Sequence, residues 1–247
     1  MNELTEKVAI VTGAGDGIGR ATAERLAQLG AHVALVDIKG AEQAAGALSG
    51  ASGTILARTM DVRHAAAWTG LVADLTRRFG GVDILVNNAG IAVAGDTAAD
   101  VSEEVWDRIM EVNAKGVWLG MKAVLPGMVA RRSGKICNVA STAAHIGLTN
   151  AAAYCASKGA VLALTRQAGV QYASCNVQIN SVSPGTTWTG LQRDVTEEQR
   201  AAFLPLTPIG RFAQPSEVAA VIAFLCSTGS SFMAGADVSV DGGMVAL

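Results

Sequence analysis

Tyr154 and Lys158 stand four residues apart in Tyr154-Cys155-Ala156-Ser157-Lys158, and Tyr154 is one of only two tyrosines in 247 residues. On a helix that spacing puts both side chains on one face. A free phenol has a pKa near 10, too high for efficient proton transfer at neutral pH, and a neighbouring ammonium favours the phenolate. Such a pair also arises by chance on many surfaces. Here Ser141 lies thirteen residues earlier, just past an apolar strand, and Asn113 sits inside a long preceding helical pattern. A tyrosine with an ammonium beside it could move a proton near neutral pH.

A second cluster could hold a phosphate. The first apolar run ends in Thr12-Gly13-Ala14-Gly15-Asp16-Gly17-Ile18-Gly19-Arg20. A glycine-rich turn from strand to helix brings backbone close to a pyrophosphate, whose charge meets the helix N-terminus. The G-x-G-x-x-G spacing does not fit, because its last position falls on Ile18 or Arg20. T-G-x-x-x-G-I-G does fit. Asp37, at the end of the second apolar run and about 20 residues beyond the turn, is placed to accept hydrogen bonds from an adenosine ribose. A carboxylate there repels a 2′-phosphate, Asp16 adds to the repulsion, and Ile38 offers no cation, so NAD is favoured over NADP.

These residues need a scaffold of alternating elements. Val- and Ile-rich runs at Val8–Val11, Val33–Val36, Ile55–Met60, Ile84–Val86, Lys135–Val139, Val177–Val182 and Val238–Val240 predict strands. Helical patterns lie between them at Gly19–Leu29, Ala65–Phe79, Ser102–Ala130, Ala152–Ala173 and Pro215–Leu225. That alternation predicts an α/β fold, a doubly wound parallel sheet of Rossmann type with helices on both faces. No linker or low-complexity tract breaks the chain, so a single domain is expected over residues 1–247. Thr186–Phe212, with Pro205 and Pro208, interrupts the alternation and is read as a lid insertion.

Composition excludes several classes. Half the residues are hydrophobic and 16% are charged, which is incompatible with disorder. The net charge of −2 and the isolated pairs Arg77-Arg78 and Arg131-Arg132 make no basic stripe for nucleic acid. The mean hydropathy of +0.34 invites a search for a membrane span, yet only Val218–Cys226 of the charge-free run Val218–Ala236 is continuously apolar. A span needs about 20 such residues. The polar start Met1–Lys7 predicts no signal peptide. Four cysteines without CxxC or ligand spacing predict no metal site and a reduced, cytoplasmic setting.

The ordered motifs resemble those of the short-chain dehydrogenase/reductase family over practically the whole chain, from Lys7 to Gly243. They are Thr12 to Gly19, Asp61-Val62, Asn87-Asn88-Ala89-Gly90, Asn113, Ser141, Tyr154 with Lys158, Pro184-Gly185 and Val240-Asp241-Gly242-Gly243. The resemblance implies an NAD(H)-dependent oxidoreductase that interconverts a small secondary alcohol and a ketone by hydride transfer. By the same resemblance, Tyr154 would be the general acid/base and Ser141 would hold the reacting oxygen. Lys158 would bind the nicotinamide ribose and lower the Tyr154 pKa, and Asn113 would hold a water linking Lys158 to solvent. Gly13, Asp16, Gly17, Ile18 and Gly19 would surround the pyrophosphate, and Asp37 the ribose. Asp61 and Val62 would contact adenine, with Asn88, Ala89 and Gly90 beside the cofactor. Pro184, Gly185, Thr187 and Thr189 would pass along the nicotinamide and its carboxamide or the phosphates. A homotetramer is implied as well, with Ser102–Ala130 and Ala152–Ala173 supplying one interface.

Two positions depart from the family pattern. Thr187 adds a hydroxyl where Val or Ile is frequent, and Ala140-Ser141-Thr142 leaves Ser141 as the only serine in register. Cys155 is read as a packed small side chain. The substrate side is expected to draw on Val93, Ile146, Leu148, Trp188, Leu191, Phe203 and Leu204, with Arg193 and Arg200 in the lid. His145 is read as a bystander of that loop. A neutral, fairly apolar substrate suits this set. The competing readings are a 3-oxoacyl-carrier-protein reductase, an NAD-linked sugar or polyol dehydrogenase, and a non-catalytic dinucleotide-binding regulator. The intact set of four polar residues speaks against the last.

Overall fold

All seven apolar runs pair into one parallel sheet in the computed structural model, which describes residues 3–93, 95–189 and 204–247. The strands are β1 (Val8–Thr12), β2 (His32–Asp37), β3 (Ile55–Thr59), β4 (Ile84–Asn87), β5 (Gly134–Val139), β6 (Val177–Pro184) and β7 (Asp237–Val240). Their order is β3-β2-β1-β4-β5-β6-β7. The helices are α1 (Gly17–Gln28), α2 (Ala41–Gly46), α3 (Ala65–Phe79), α4 (Glu103–Met110), α5 (Gly116–Arg131), α6 (Ala152–Ala173) and α7 (Pro215–Leu225). Among the described residues no helix is long and apolar enough to cross a membrane.

Successive strand residues face opposite sides, and both sides are apolar here. Ile10 joins one core with Trp68, Leu75, Met128 and Val161 from α3, α5 and α6. Its neighbours Ala9 and Val11 join a second core with Leu26, Val218 and Ile222 from α1 and α7. A parallel sheet covered in this way leaves its carboxyl edge as the open side. The strand order reverses between β1 and β4, the place where ligands of open α/β sheets bind.

Two elements differ from the sequence reading. The expected continuous helix Ser102–Ala130 is interrupted by a π-helical turn at Glu111–Lys115, so α4 and α5 are separate. That turn inserts one extra residue per hydrogen-bonded ring, which the apolar spacing does not register. The short α2 follows Gly40, which stands at φ +82°, and its six residues are too few for a clear period. Residues 190–203 of the expected lid lie outside the described residues. Its base is closed by the bridge Thr187–Ala213, with Trp188 N donating to Ala213 O and Ala213 N to Thr186 O.

Candidate active site

Thr12 and Asn88 hold the switch point open. The Thr12 hydroxyl accepts from the backbone N–H of Asn88 and of Ala89, both at 3.0 Å. The Asn88 amide donates to the carbonyls of Thr12 at 2.9 Å and Gly13 at 3.2 Å. The ends of β1 and β4 are thereby fixed to each other. Gly13 and Gly17 take φ of +64° and +55°, a region that side chains disfavour, and this bends the chain into α1. Asp16 is the N-cap residue, and it, Gly17 and Ile18 place the start of α1 on the crevice wall, where a helix N-terminus suits an anion.

Gly19 packs α1 against the turn. It is buried within α1 and is not on the crevice wall. A β-carbon there would collide with the Gly13 carbonyl oxygen and come within 2.5 Å of Asn88 Nδ2. Gly19→Ala is therefore expected to destabilise the fold by about 1–3 kcal/mol through overpacking. Equilibrium urea unfolding measures this, and an unchanged midpoint would contradict the packing.

A cavity of about 560 Å³ runs along the carboxyl edge. Its wall includes every expected cofactor residue except Gly19: Gly13, Asp16, Gly17, Ile18, Asp37, Asp61, Val62, Asn88, Ala89, Gly90, Tyr154, Lys158, Pro184, Gly185, Thr187 and Thr189. Ser141 joins them. Sequence reasoning missed Ile38, Met60, Arg63, Arg108 and Val112, which line the same cavity. Val112 belongs to the π-helical turn and Arg108 to α4, so only the three-dimensional fold brings them there. Val93, Ile146, Leu148, Trp188 and Leu204 are described but are not on this wall. Leu191, Phe203, Arg193 and Arg200 lie outside the described residues.

At one end, Asp37 accepts the N–H groups of Gly15 at 2.9 Å and Lys39 at 3.2 Å. Nearby, both Asp61 oxygens are engaged by the Arg63 guanidinium, which also lies 3.6 Å from Glu111 and holds the Asp61 carboxyl below its usual range. The Trp68 indole donates to Val62 O at 2.9 Å and anchors this turn to the core.

At the other end, Tyr154 and Ser141 share the cavity wall. The Ser141 Oγ accepts the N–H of Ala143 at 3.1 Å. Withdrawal from water pushes the Tyr154 phenol up, the neighbouring Ser141 hydroxyl pulls it back in part, and the Cys155 thiol adds a further push upward. Lys158 is buried; its Nζ donates to Val139 O at 2.8 Å and lies 5.8 Å from the Tyr154 ring centroid. Burial lowers its pKa to about 8. The ammonium bonds away from the phenol, and the same withdrawal from water drives both groups toward neutrality.

The fully buried Asn113 side chain is committed to protein. Its Oδ1 accepts from Ile91 N at 2.8 Å, and its Nδ2 donates to Ile91 O at 2.9 Å and Ser157 Oγ at 3.0 Å. One lone pair on Oδ1 is left over. A β-carbon on Gly90 would sit 3.4 Å from that oxygen and 3.5 Å from Lys158 Nζ, so both atoms flank one small space. The Thr187 hydroxyl donates to Gly185 O at 3.1 Å and is satisfied within its own turn.

A switch-point cavity lined by a helix N-terminus, the Asp37 carboxylate, Tyr154, Ser141 and Lys158 is the arrangement of a dinucleotide-dependent oxidoreductase. Residues 13–245 match the family model described as "Enoyl-(Acyl carrier protein) reductase". The chain is 41% identical over 254 residues to 2-(S)-hydroxypropyl-CoM dehydrogenase 3 of Xanthobacter autotrophicus, covering 100% of this chain and 99% of the relative. It is 39% identical over 241 residues to an NAD-dependent glycerol dehydrogenase of Listeria innocua, covering 97% and 94%. The crystal structure of levodione reductase superposes with a TM-score of 0.93 at 34% identity, covering 98% of this chain and 99% of that one. The chain belongs to the short-chain dehydrogenase/reductase family and is one of its oxidoreductases, with a nicotinamide dinucleotide as cofactor.

Proposed function

We propose that this protein interconverts a small secondary alcohol and a ketone with NAD(H), acting as one dinucleotide-binding and catalytic domain. The observation that carries the reading is the placement of Tyr154, Ser141 and Lys158 on the wall of the cavity that the glycine turn and Asp37 also line. The first N–H groups of α1 would meet the pyrophosphate, and Asp37 the adenosine ribose. Ile38, Val62 and Val112 would enclose the adenine. The cofactor, when bound, supplies the chemistry of hydride transfer. Tyr154 would give its proton to the carbonyl oxygen in reduction and take the hydroxyl proton in oxidation. Ser141 would hold that oxygen by a hydrogen bond. Lys158 would pass protons between Tyr154 and a water held beside Gly90 by Asn113 Oδ1.

NAD is favoured because Asp37 is fixed by two backbone N–H groups and would face any 2′-phosphate at close range. Arg63, the nearby cation on the wall, is committed to Asp61 and Glu111. Asp37→Ala is expected to raise the NADP/NAD ratio of kcat/KM by about tenfold or more, since like-charge contact at such a site costs over 1 kcal/mol. Kinetics with both cofactors measure it, and an unchanged ratio would remove Asp37 from cofactor choice. The reaction itself is tested with a panel of neutral ketones and secondary alcohols, assayed with NADH and NADPH separately. Failure on every member would defeat the reading.

A homotetramer is our reading of the assembly. It is supported by Trp118 on α5 and Val170 on α6, which are 44% and 78% exposed on the two helices expected at an interface. The four free cysteines, two of them buried, suit a cytoplasmic setting.

A further inference from the structure

We propose that His145 is a positioning residue, held by Asp237, that clamps the turn starting at Ser141 against the end of β6. The inference rests on the reaction proposed above, in which Ser141 holds the reacting oxygen. It gives a task to a histidine that the sequence offers only as a loop bystander.

Asp237 is the first residue of β7, and its side chain is only 10% exposed. Its Oδ1 accepts the hydroxyls of Ser181 at 2.6 Å and Ser183 at 3.0 Å, both serines being fully buried on β6. Its Oδ2 lies 2.8 Å from His145 Nε2, and that nitrogen is also 3.3 Å from Ser183 Oγ. The proton positions follow from the donor count. Each serine has one hydroxyl proton, already given to Asp237, so Ser183 can only accept from the ring. Nε2 must therefore carry hydrogen. A bare Nε2 would set its lone pair against a carboxylate oxygen at 2.8 Å. The imidazole is thus fixed in one tautomer and one orientation by a carboxylate that is itself held by two strand serines.

The clamp reaches Ser141 through a short turn. Ser141 is the N-cap of the 3₁₀ turn Thr142–Ala144, and His145 is the residue that closes it. Ala144 N donates to Ser141 O at 3.0 Å, while His145 N and Ile146 N donate to Thr142 O at 2.8 and 3.0 Å. At the near end Ala140 N donates to Val182 O at 2.8 Å. At the far end the imidazole ties the turn to β6 and β7. Ser183 immediately precedes Pro184 and Gly185, which line the cavity, so the same contact joins two of its walls. A polar group shifted by about 1 Å can cost a hundredfold in rate, which is why such a tie matters to Ser141.

Four variants and one spectrum test this. His145→Leu is expected to lower kcat about tenfold or more, with KM changed much less and the NADH dissociation constant nearly unchanged. His145→Gln, whose amide N–H can reach Asp237, is expected to recover most of that loss. Asp237→Ala removes the same contact and also the acceptor of two buried serines, so it should lower kcat at least as much as His145→Leu, and His145→Leu/Asp237→Ala should be no slower than Asp237→Ala alone. In the wild-type protein, ¹⁵N NMR of the His145 ring should show the proton on Nε2 near neutral pH. Unchanged kcat in His145→Leu, a Gln variant no better than Leu, or a proton on Nδ1 alone would each overturn the proposal. If the Leu variant does not fold, the Gln variant and the tautomer decide. A wild type inactive on every ketone and alcohol counts against the reaction, and the tautomer then decides the clamp by itself.

Discussion

Replacing Tyr154 by Phe is expected to reduce turnover by about a thousandfold while NADH binds nearly as before. General acid/base transfer from a positioned side chain is worth roughly 10² to 10⁴ in rate, and the phenol at this end of the cavity is placed to supply it. The substitution removes one oxygen and keeps the ring. Ser141 Oγ would still accept the Ala143 N–H, and Lys158 Nζ would still donate to Val139 O, so no buried polar group is orphaned. The fold and the dinucleotide end of the cavity therefore stay intact, and the loss is confined to chemistry. Steady-state kinetics in both directions, with NADH binding followed by fluorescence and folding by circular dichroism, measure the three quantities separately. Turnover within tenfold of wild type would exclude Tyr154 as the proton donor.

What could be read from the chain in advance was whatever depends on short spacing. Tyr154 and Lys158 share a helix face because i and i+4 must, and the glycine turn follows β1 because strand and helix patterns meet there. The alternation of apolar runs was enough to predict a parallel sheet, since both faces of each strand had to be buried. Long-range hydrogen bonding was hidden. The spacing puts Asn113 within a helix, yet its amide ties the π-helical turn Glu111–Lys115 and α6 to the segment after β4. The motif marks Gly19, but it does not show that the residue packs α1 against the Gly13 carbonyl. His145 and Asp237 are 92 residues apart, and no local pattern links them. For Lys158, spacing gives proximity to Tyr154, while burial and the Val139 carbonyl decide where the ammonium points and how readily it keeps its proton.

That last point leads to the second large effect. Lys158→Met should abolish most activity and yet make the free enzyme more stable near pH 7. Met is close to Lys in volume, so the site stays filled, but the ammonium beside Tyr154 and Gly90 is gone, and turnover should drop about a hundredfold or more. The stability change follows from the lysine's proton. Its pKa falls from 10.5 in the unfolded chain to about 8 in the fold. That difference corresponds to about 3 kcal/mol of unfavourable burial of the charged form. The folded value is the lower one, so the cost is fully present below pH 8, where both states hold the proton. It fades as pH rises from 8 toward 10.5, because the folded state releases its proton first. Loss of the bond to Val139 O takes back about 1 kcal/mol, leaving a net gain of about 1–3 kcal/mol for the variant near pH 7. The gap between variant and wild type should then narrow by about 2 kcal/mol near pH 9.5. Urea unfolding of both proteins at the two pH values measures it, and the comparison cancels every other titrating group. A variant less stable than wild type near pH 7, or a gap that stays constant with pH, would mean that Lys158 is not held as a buried cation in the free enzyme. A stable, inactive variant would show that this lysine is kept for the reaction at the expense of the fold.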